Sequence, residues 1–337
     1  MWKRCVASAA LIGLLLAAPL ASAGAADSAV ILLYHRIGDD RIAGLNTEPG
    51  QMEAHLAELR QGGYAVRPLA EIVAAMGTDQ PLPEKTVAIT VDDASLTVFD
   101  RAWPRLKKAG MDFTLFIATD EVDRGGPDIM SWSQIRELAA VGIGIGSQGA
   151  ARLHMSKATP DQISADLARA RQRFEAELGR APTLFAWPGG EGSAEATEIL
   201  RQAGFTAAFG QHSGALWTKA DPFFLPRFAL NKAFGETDRF RMAVRSLPLK
   251  LVDITPADPM LKTNPPAFGF TLAEEIAGID GLACFASHQG QVKVERLGPR
   301  VEVRMSKPFP AGRGRLNCTL PGLEGRWRWF GWQFTTP

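Results

Sequence analysis

Two adjacent carboxylates, Asp92 and Asp93, directly follow a run of β-branched and apolar residues at positions 86–91. A buried strand alternates its side chains between two faces, so it cannot easily hide two neighbouring charges. We therefore expect this strand to open onto a cleft. In such a pair one carboxylate can hold a metal ion while the other transfers protons. A strand-end turn or a helix cap is the structural alternative for the same dipeptide.

Strand-like and helix-like segments alternate from residue 29 to about residue 245. Repeated strand–helix units predict a parallel sheet, and about seven units in about 220 residues favour a closed or nearly closed barrel. Active sites of such barrels lie at the carboxyl ends of the strands. Polar residues stand there at His35, Asp92, Asp93, Ser147, Gln148 and in the loop after Trp187. The sequence thus predicts an α/β barrel at residues 27–247 with a cleft at one rim.

A second region begins near residue 248, where prolines become frequent and short alternating segments follow. This pattern predicts a small all-β domain at residues 248–337. Its segment 326–332 alternates aromatic and cationic residues. Such a segment is typical either of a sugar-stacking surface or of core packing in which arginine stems cover tryptophan faces.

The N-terminus has the pattern of a secretory signal. Lys3 and Arg4 precede an apolar run at residues 10–20 and a small-residue cleavage site at residues 21–23. We predict a signal peptide at residues 1–26 and an exported protein, periplasmic or extracellular. An uncleaved membrane anchor is the alternative, although the run is shorter than the about 20 residues that a span needs.

Two cysteines, Cys284 and Cys318, remain after the predicted signal. An even count in an exported protein predicts one disulfide, and two separate buried thiols are the alternative.

The net charge of the 337 residues is +1, which gives no electrostatic case for a nucleic-acid partner.

Several short motifs follow one another between residues 30 and 245. They lie at residues 32–37, 90–93, 102–110, 113–116, 146–147, 185–188 and 225–227. In this order they resemble the polysaccharide deacetylase family, also called carbohydrate esterase family 4, and most of all the branch of poly-N-acetylglucosamine deacetylases. The resemblance implies a distorted (β/α) barrel that hydrolyses the acetamide of N-acetylated polysaccharides or oligosaccharides.

The resemblance also implies a divalent metal, often zinc, held by one aspartate and two histidines. Such a metal polarises the carbonyl and activates a water, whose proton a neighbouring carboxylate removes. By position Asp92 is the base and Asp93 a metal ligand. The residues that the resemblance assigns to the cleft wall are Trp187, Pro188, Gly189, Gly190 and Arg227.

The metal-ligand motif departs from the family pattern. Alignment on residues 146–147 puts Gln148 and Arg152 at the two histidine positions. Glutamine is a poor zinc ligand, and arginine brings a permanent positive charge and no acceptor. We expect zinc binding of the usual kind to be nearly abolished. Arg152 could instead pair with Asp92 or Asp93 and replace the charge of the metal.

Three other histidines, His35, His154 and His212, each follow a candidate strand. One hypothesis is that His35 and Asp93, with His154 or His212, hold a metal in an altered geometry. The alternative is that His35 is a hydrogen-bonded cleft residue and His212 a loop residue.

Two functions remain open. The first is a polysaccharide N-deacetylase, and the second is a catalytically inactive carbohydrate-binding or scaffold protein of envelope or biofilm polysaccharide.

Overall fold

The structure is a computed structural model that describes residue 2 and residues 25–336. Most of the predicted signal peptide therefore lies outside the described residues. Within the described part of the chain, no helix combines the length and the apolar character needed to cross a membrane.

Parallel strands form the barrel part of the first sheet, to which the short strands Ala65–Val66 and Leu216–Trp217 also belong. The parallel strands of the barrel are β1 (Ser28–Tyr34), β2 (Thr86–Asp92), β3 (Thr114–Ile117), β4 (Gly144–Ser147), β5 (Leu184–Ala186), β6 (Ala207–Phe209) and β7 (Phe228–Ala229). Their order in the sheet is β6-β5-β4-β3-β2-β1-β7. Leu225, shortly before β7, bridges to Phe209 of β6, so the sheet curls until its two edges meet. The predicted (β/α) barrel is confirmed.

Helices cover the outside of this sheet. They are α1 (Pro49–Gln61), α2 (Leu69–Ala75), α3 (Trp103–Ala109), α4 (Thr119–Arg124), α5 (Trp132–Ala140), α6 (Pro160–Leu178), α7 (Ala194–Gln202) and α8 (Thr237–Val244). A π-helical segment, Val98–Ala102, leads into α3. Every residue of β2 is buried, because helices and barrel interior cover both faces of a parallel strand.

The strand register sets the position of the polar residues. Tyr34 pairs with Val91, Asp92 with Phe116, and Ile117 with Ser147. The carboxyl ends of β1 to β4 therefore lie side by side. His35, Asp93 and Gln148, which follow three of these ends, consequently emerge at one rim of the barrel.

The second sheet forms the predicted C-terminal β domain. Its labelled strands are β8 (Leu251–Thr255), β9 (Phe268–Leu272), β10 (Ala283–Ala286), β11 (Gly290–Leu297), β12 (Arg300–Arg304), β13 (Gly312–Pro321) and β14 (Trp327–Thr336). A short strand, Leu247–Pro248, adds to β14 at one edge. The alternating sequence pattern did not single out β8 and β9, which lie in the proline-rich stretch. Cys284 of β10 and Cys318 of β13 form a buried disulfide with an S–S distance of 2.00 Å.

Aromatic side chains of β14 join this sheet to the barrel. The Trp329 ring meets the edge of Phe228 at 5.2 Å between centroids, and Trp332 meets Phe224 at 5.0 Å. Trp332 is only 7% exposed, whereas Trp327 is 36% exposed. Core packing, not an open stacking surface, therefore accounts for Trp332, whereas Trp329 is partly buried.

Gly331 of β14 packs closely against the barrel segment at Ser213. A Cβ at this position would stand 2.0 Å from the carbonyl oxygen of Ser213. We predict that Gly331→Ala forces the domains apart and lowers the free energy of unfolding by about 1–3 kcal/mol. Urea denaturation measures this. Gly50→Ala on α1 is the matched control, since its Cβ would meet nothing within 4 Å. Equal stabilities of the two variants would contradict the close contact.

Candidate active site

A fully buried ion pair joins two strands at the barrel mouth. Arg227 stands just before β7 and Asp92 ends β2, and both side chains are 0% exposed. Nη1 and Nη2 of Arg227 donate to Oδ1 and Oδ2 of Asp92 at 2.6 and 2.8 Å. Nε donates to the Gly210 carbonyl at 2.9 Å. This bidentate geometry satisfies two charges that burial alone would strongly disfavour.

Arg152 approaches the second carboxylate of the motif. Its Nη2 lies 3.0 Å from Oδ1 of Asp93, and its Nη1 lies 3.8 Å from Oε2 of Glu121. Burial and the nearby Asp93 raise the pKa of Glu121, while Arg152 lowers it. Asp93 and Arg152 both adopt left-handed backbone conformations, with φ of 70° and 53°. Such conformations are uncommon outside glycine and cluster at functional sites.

Asp166 of α6 fixes the loop that carries Arg152. Its carboxylate accepts hydrogen bonds from the backbone N–H groups of Ala150 and Ala151, both at 2.8 Å. A Cβ on Gly149 would lie 2.2 Å from Oδ2 of Asp166, so this carboxylate fits only against a glycine. Sequence reasoning missed Asp166. The available signal was an acidic residue on the otherwise apolar, buried stripe of α6.

The three candidate histidines separate in the structure. His35 is 6% exposed; burial lowers its pKa, whereas Asp92 and Asp93 raise it. His212 is stacked on Phe224 at 4.5 Å, and burial lowers its pKa to about 3. The His154 side chain is 65% exposed, and its Nδ1 lies 3.2 Å from Oε1 of Glu191. His35 is thus placed close enough to the aspartate pair for both carboxylates to act on its pKa.

The loop after β5 is held from two sides. Trp187 is fully buried and donates from Nε1 to the Phe223 carbonyl at 2.8 Å. This corrects the assignment of Trp187 to the cleft wall, because its indole packs in the core. Gly189 keeps φ of 62°, and its carbonyl accepts bonds from Arg313 at 3.1 Å and Gln333 at 3.0 Å. The neighbouring Pro188 and Gly190 are buried. The C-terminal domain therefore braces the loop.

Three acceptor oxygens of this region are buried without a directed hydrogen bond. Within residues 25–336, Oδ1 of Asp93, Oε2 of Glu121 and Oε1 of Gln148 find no partner with hydrogen-bond geometry. The 3.0 Å approach of Arg152 to Asp93 is thus an electrostatic contact rather than a directed hydrogen bond. Buried acceptors without donors are costly, at about 1–3 kcal/mol each. These side chains therefore keep hydrogen-bond acceptor capacity that the described protein does not use.

Comparison with known proteins agrees with this geometry. Residues 79–208 match the family model for polysaccharide deacetylase. The chain carries a polysaccharide deacetylase domain. The putative polysaccharide deacetylase YxkH of Bacillus subtilis is 28% identical over 185 residues, which cover 55% of this chain and 65% of YxkH. The poly-β-1,6-N-acetyl-D-glucosamine N-deacetylase of Escherichia coli K12 is 22% identical over 55% of this chain and 34% of its own length. The chain thus matches less than two thirds of either relative.

Solved structures share the barrel. The Streptococcus pyogenes deacetylase PplD has a TM-score of 0.60 at 18% identity, covering 64% of this chain and 98% of its own. IcaB from Ammonifex degensii has a TM-score of 0.57 at 26% identity, with coverage of 64% and 98%. These matches support the fold.

Deacetylases of this family are generally metal-dependent, and the residues present here do not fit a zinc centre. Within the described chain, no three His, Cys, Asp or Glu side chains converge on one point. Asp93 faces the guanidinium of Arg152, and Gln148 offers a neutral amide oxygen. The alternative group of metal ligands, His35 and Asp93 with His154 or His212, does not assemble either. His154 lies at hydrogen-bond distance from Glu191, and His212 stacks on Phe224.

Loss of Arg227 should leave a buried carboxylate uncompensated. We predict that Arg227→Met lowers the free energy of unfolding by about 3–5 kcal/mol in urea denaturation. The control is Arg201→Met, whose partner Asp221 lies 3.3 Å away with both side chains about half exposed, and there we expect less than about 1 kcal/mol. A similar loss in both variants would refute a special role for the buried pair.

Removal of Arg152 should leave the carboxylates of Asp93 and Glu121 to repel each other. We predict that Arg152→Gln lowers stability at pH 7 by about 1 kcal/mol, a small figure because Arg152 is 35% exposed. When the pKa of a carboxyl group is higher in the folded than in the unfolded protein, the group destabilises the fold at pH values above its pKa in the unfolded protein. The loss should therefore shrink at pH 4, where protonation relieves the repulsion. Arg60→Gln, an exposed arginine on α1, is the control. A loss that does not change with pH would contradict this prediction.

Proposed function

We propose that this protein is an exported member of the polysaccharide deacetylase family that binds an N-acetylated amino-sugar polymer in the barrel cleft without zinc-type hydrolysis. The observation that carries the proposal is the partly exposed guanidinium of Arg152 beside Asp93, together with buried acceptor oxygens of Asp93, Glu121 and Gln148 that lack directed hydrogen bonds. Sugar hydroxyls and acetamide N–H groups supply the donors that these acceptors lack. The guanidinium of Arg152 offers donors to hydroxyl or acetyl oxygens of the same ligand.

The relatives support the choice of polymer. Their names describe deacetylases of polysaccharide and of poly-β-1,6-N-acetyl-D-glucosamine, and the shared barrel supports a comparable cleft here. Export is supported by the signal-like N-terminus and by the disulfide, which is typical of proteins in oxidising compartments.

Hydrolysis of the N-acetyl group is the second candidate function. The observation in its favour is Asp92, which remains at the end of β2 with Arg227 at hydrogen-bond distance and His35 nearby. In this alternative Asp92 serves as the general base, and Gln148 and Asp93 would have to hold any metal after Arg152 has moved away.

Restoration of the two histidines separates these candidates. We predict that Gln148→His/Arg152→His binds about one zinc ion per chain, measured by elemental analysis after dialysis. It should also release acetate from a β-1,6-linked N-acetylglucosamine oligosaccharide. Histidine tolerates the left-handed backbone of position 152 better than most residues do. Adding Asp92→Asn to this variant should reduce the rate by about 10²–10⁴-fold, the usual contribution of a general base.

The natural chain is the reference for this experiment. It should bind the same oligosaccharide in calorimetry and release no acetate above the buffer rate. Acetate release by the natural chain that a chelator stops would overturn the binding proposal and establish the hydrolase. No binding and no release would exclude both candidates for this polymer.

A further inference from the structure

A basic pocket lies between the barrel mouth and the C-terminal sheet. It encloses about 380 Å³, and its lining includes His35, Arg239, Arg313, Arg315 and Trp329. Arg239 comes from α8, whereas Arg313, Arg315 and Trp329 come from β13 and β14. Because His35 also stands beside the aspartate pair, the pocket opens next to the cleft floor.

The arginines of this pocket have no carboxylate partner within residues 25–336. Nε of Arg239 is buried without a hydrogen-bond acceptor, and its guanidinium lies 4.9 Å from the Phe234 ring. Arg313 donates to the neutral carbonyl of Gly189. By contrast Arg241, two residues after Arg239, pairs with Glu58 at 3.0 Å. The positive charge of the pocket is therefore not neutralised by the protein.

Like charges without a carboxylate partner within residues 25–336 lie close together in this pocket. Burial lowers the pKa of the half-buried Arg239. Arg313 and Arg315 are exposed at the pocket, and partial desolvation and then the like charge of Arg313 lower the pKa of Arg315. An anion placed among these groups would remove the repulsion and gain charge-assisted hydrogen bonds. A guanidinium fork matches the two oxygens of a carboxylate especially well.

Aromatic surface lies beside these charges. Trp329 is partly buried, and Phe234 is 46% exposed at the edge of the pocket. A sugar ring with an apolar face and a carboxylate substituent matches both the aromatic surface and the positive charge of the pocket. The pocket is also large enough for one sugar unit of a longer chain.

We propose that this pocket binds the carboxylate of a uronate-type sugar, so that the polymer recognised by this protein is acidic as well as N-acetylated. The identity of the polymer rests on the proposed function, whereas the anion site rests on the arginines alone. One glycan chain would place an N-acetylated unit over Asp93 and Gln148 and a neighbouring acidic unit among Arg239, Arg313 and Arg315.

Calorimetry on the full chain tests the proposal. The probes are an oligosaccharide of alternating N-acetylglucosamine and glucuronate, the same oligosaccharide with its carboxylates reduced to alcohols, and a sulfated, carboxyl-reduced version. We expect the carboxylate form to bind at least about tenfold more tightly than the reduced form at low salt. This advantage should shrink at about 1 M salt, where the screening length falls to about 3 Å.

The variant Arg239→Gln/Arg315→Gln should lose this advantage and keep the affinity for the reduced oligosaccharide. Arg313 stays in place because it braces Gly189, and Arg60→Gln is the control for loss of a surface charge. Thermal melts verify that the variants are folded.

Each result bears on a separate part of the idea. Equal binding of the carboxylate and reduced forms, or a preference that survives in the double variant, would overturn the acidic pocket and leave the proposed function intact. Tighter binding of the sulfated form would overturn the uronate assignment. Binding of the acidic probe alone would support the pocket and count against recognition of the N-acetyl unit. Binding of none of the probes would overturn the pocket and count against the proposed function.

Discussion

Two charges without access to solvent face each other where the barrel closes, in Arg227 and Asp92. Their bidentate bond links the end of β2 to the chain segment that bridges β6 and β7. A carboxylate buried in this way requires its partner, because an isolated ion in a protein interior is strongly disfavoured. The position of Asp93 depends on this bond as well, since it follows Asp92 directly at the rim. The geometry of the cleft floor is therefore a consequence of how the barrel closes.

Arg152 changes the electrostatics of that floor. A guanidinium carries one positive charge spread over a plane, whereas a divalent ion concentrates two charges and accepts lone pairs from several directions. Arg152 can neutralise Asp93, but it cannot gather Glu121 and Gln148 around itself as a metal would. Their oxygens remain without donors. The substitution therefore stabilises the floor against carboxylate repulsion and leaves it able to accept hydrogen bonds from a ligand.

Much of the barrel could be predicted because its local signals agree with its tertiary structure. Helix α6 begins at a capping box with Thr159 and ends at Gly179 in the left-handed conformation, and both residue types are boundary signals that can be recognised in a sequence. Strands β8 and β9 lie in the proline-rich stretch, where the alternating pattern did not single them out, and pairing with neighbouring strands stabilises them. In the site, the resemblance assigned Asp92, Asp93 and Arg152 to adjacent positions. It did not reveal which arginine pairs with which aspartate, because that choice depends on three-dimensional distances. Trp187 was misplaced for a related reason, since a motif position does not determine the direction of a side chain.

The carbonyl of Gly189 has a consequence for the order of folding. It accepts hydrogen bonds from Arg313 and Gln333, which lie 124 and 144 residues later in the chain. The barrel can therefore form its strands early during synthesis, but the loop that borders the cleft reaches its final shape only after β13 and β14 have folded against it. A nascent chain that already contains the whole barrel would therefore still lack the final shape of this loop.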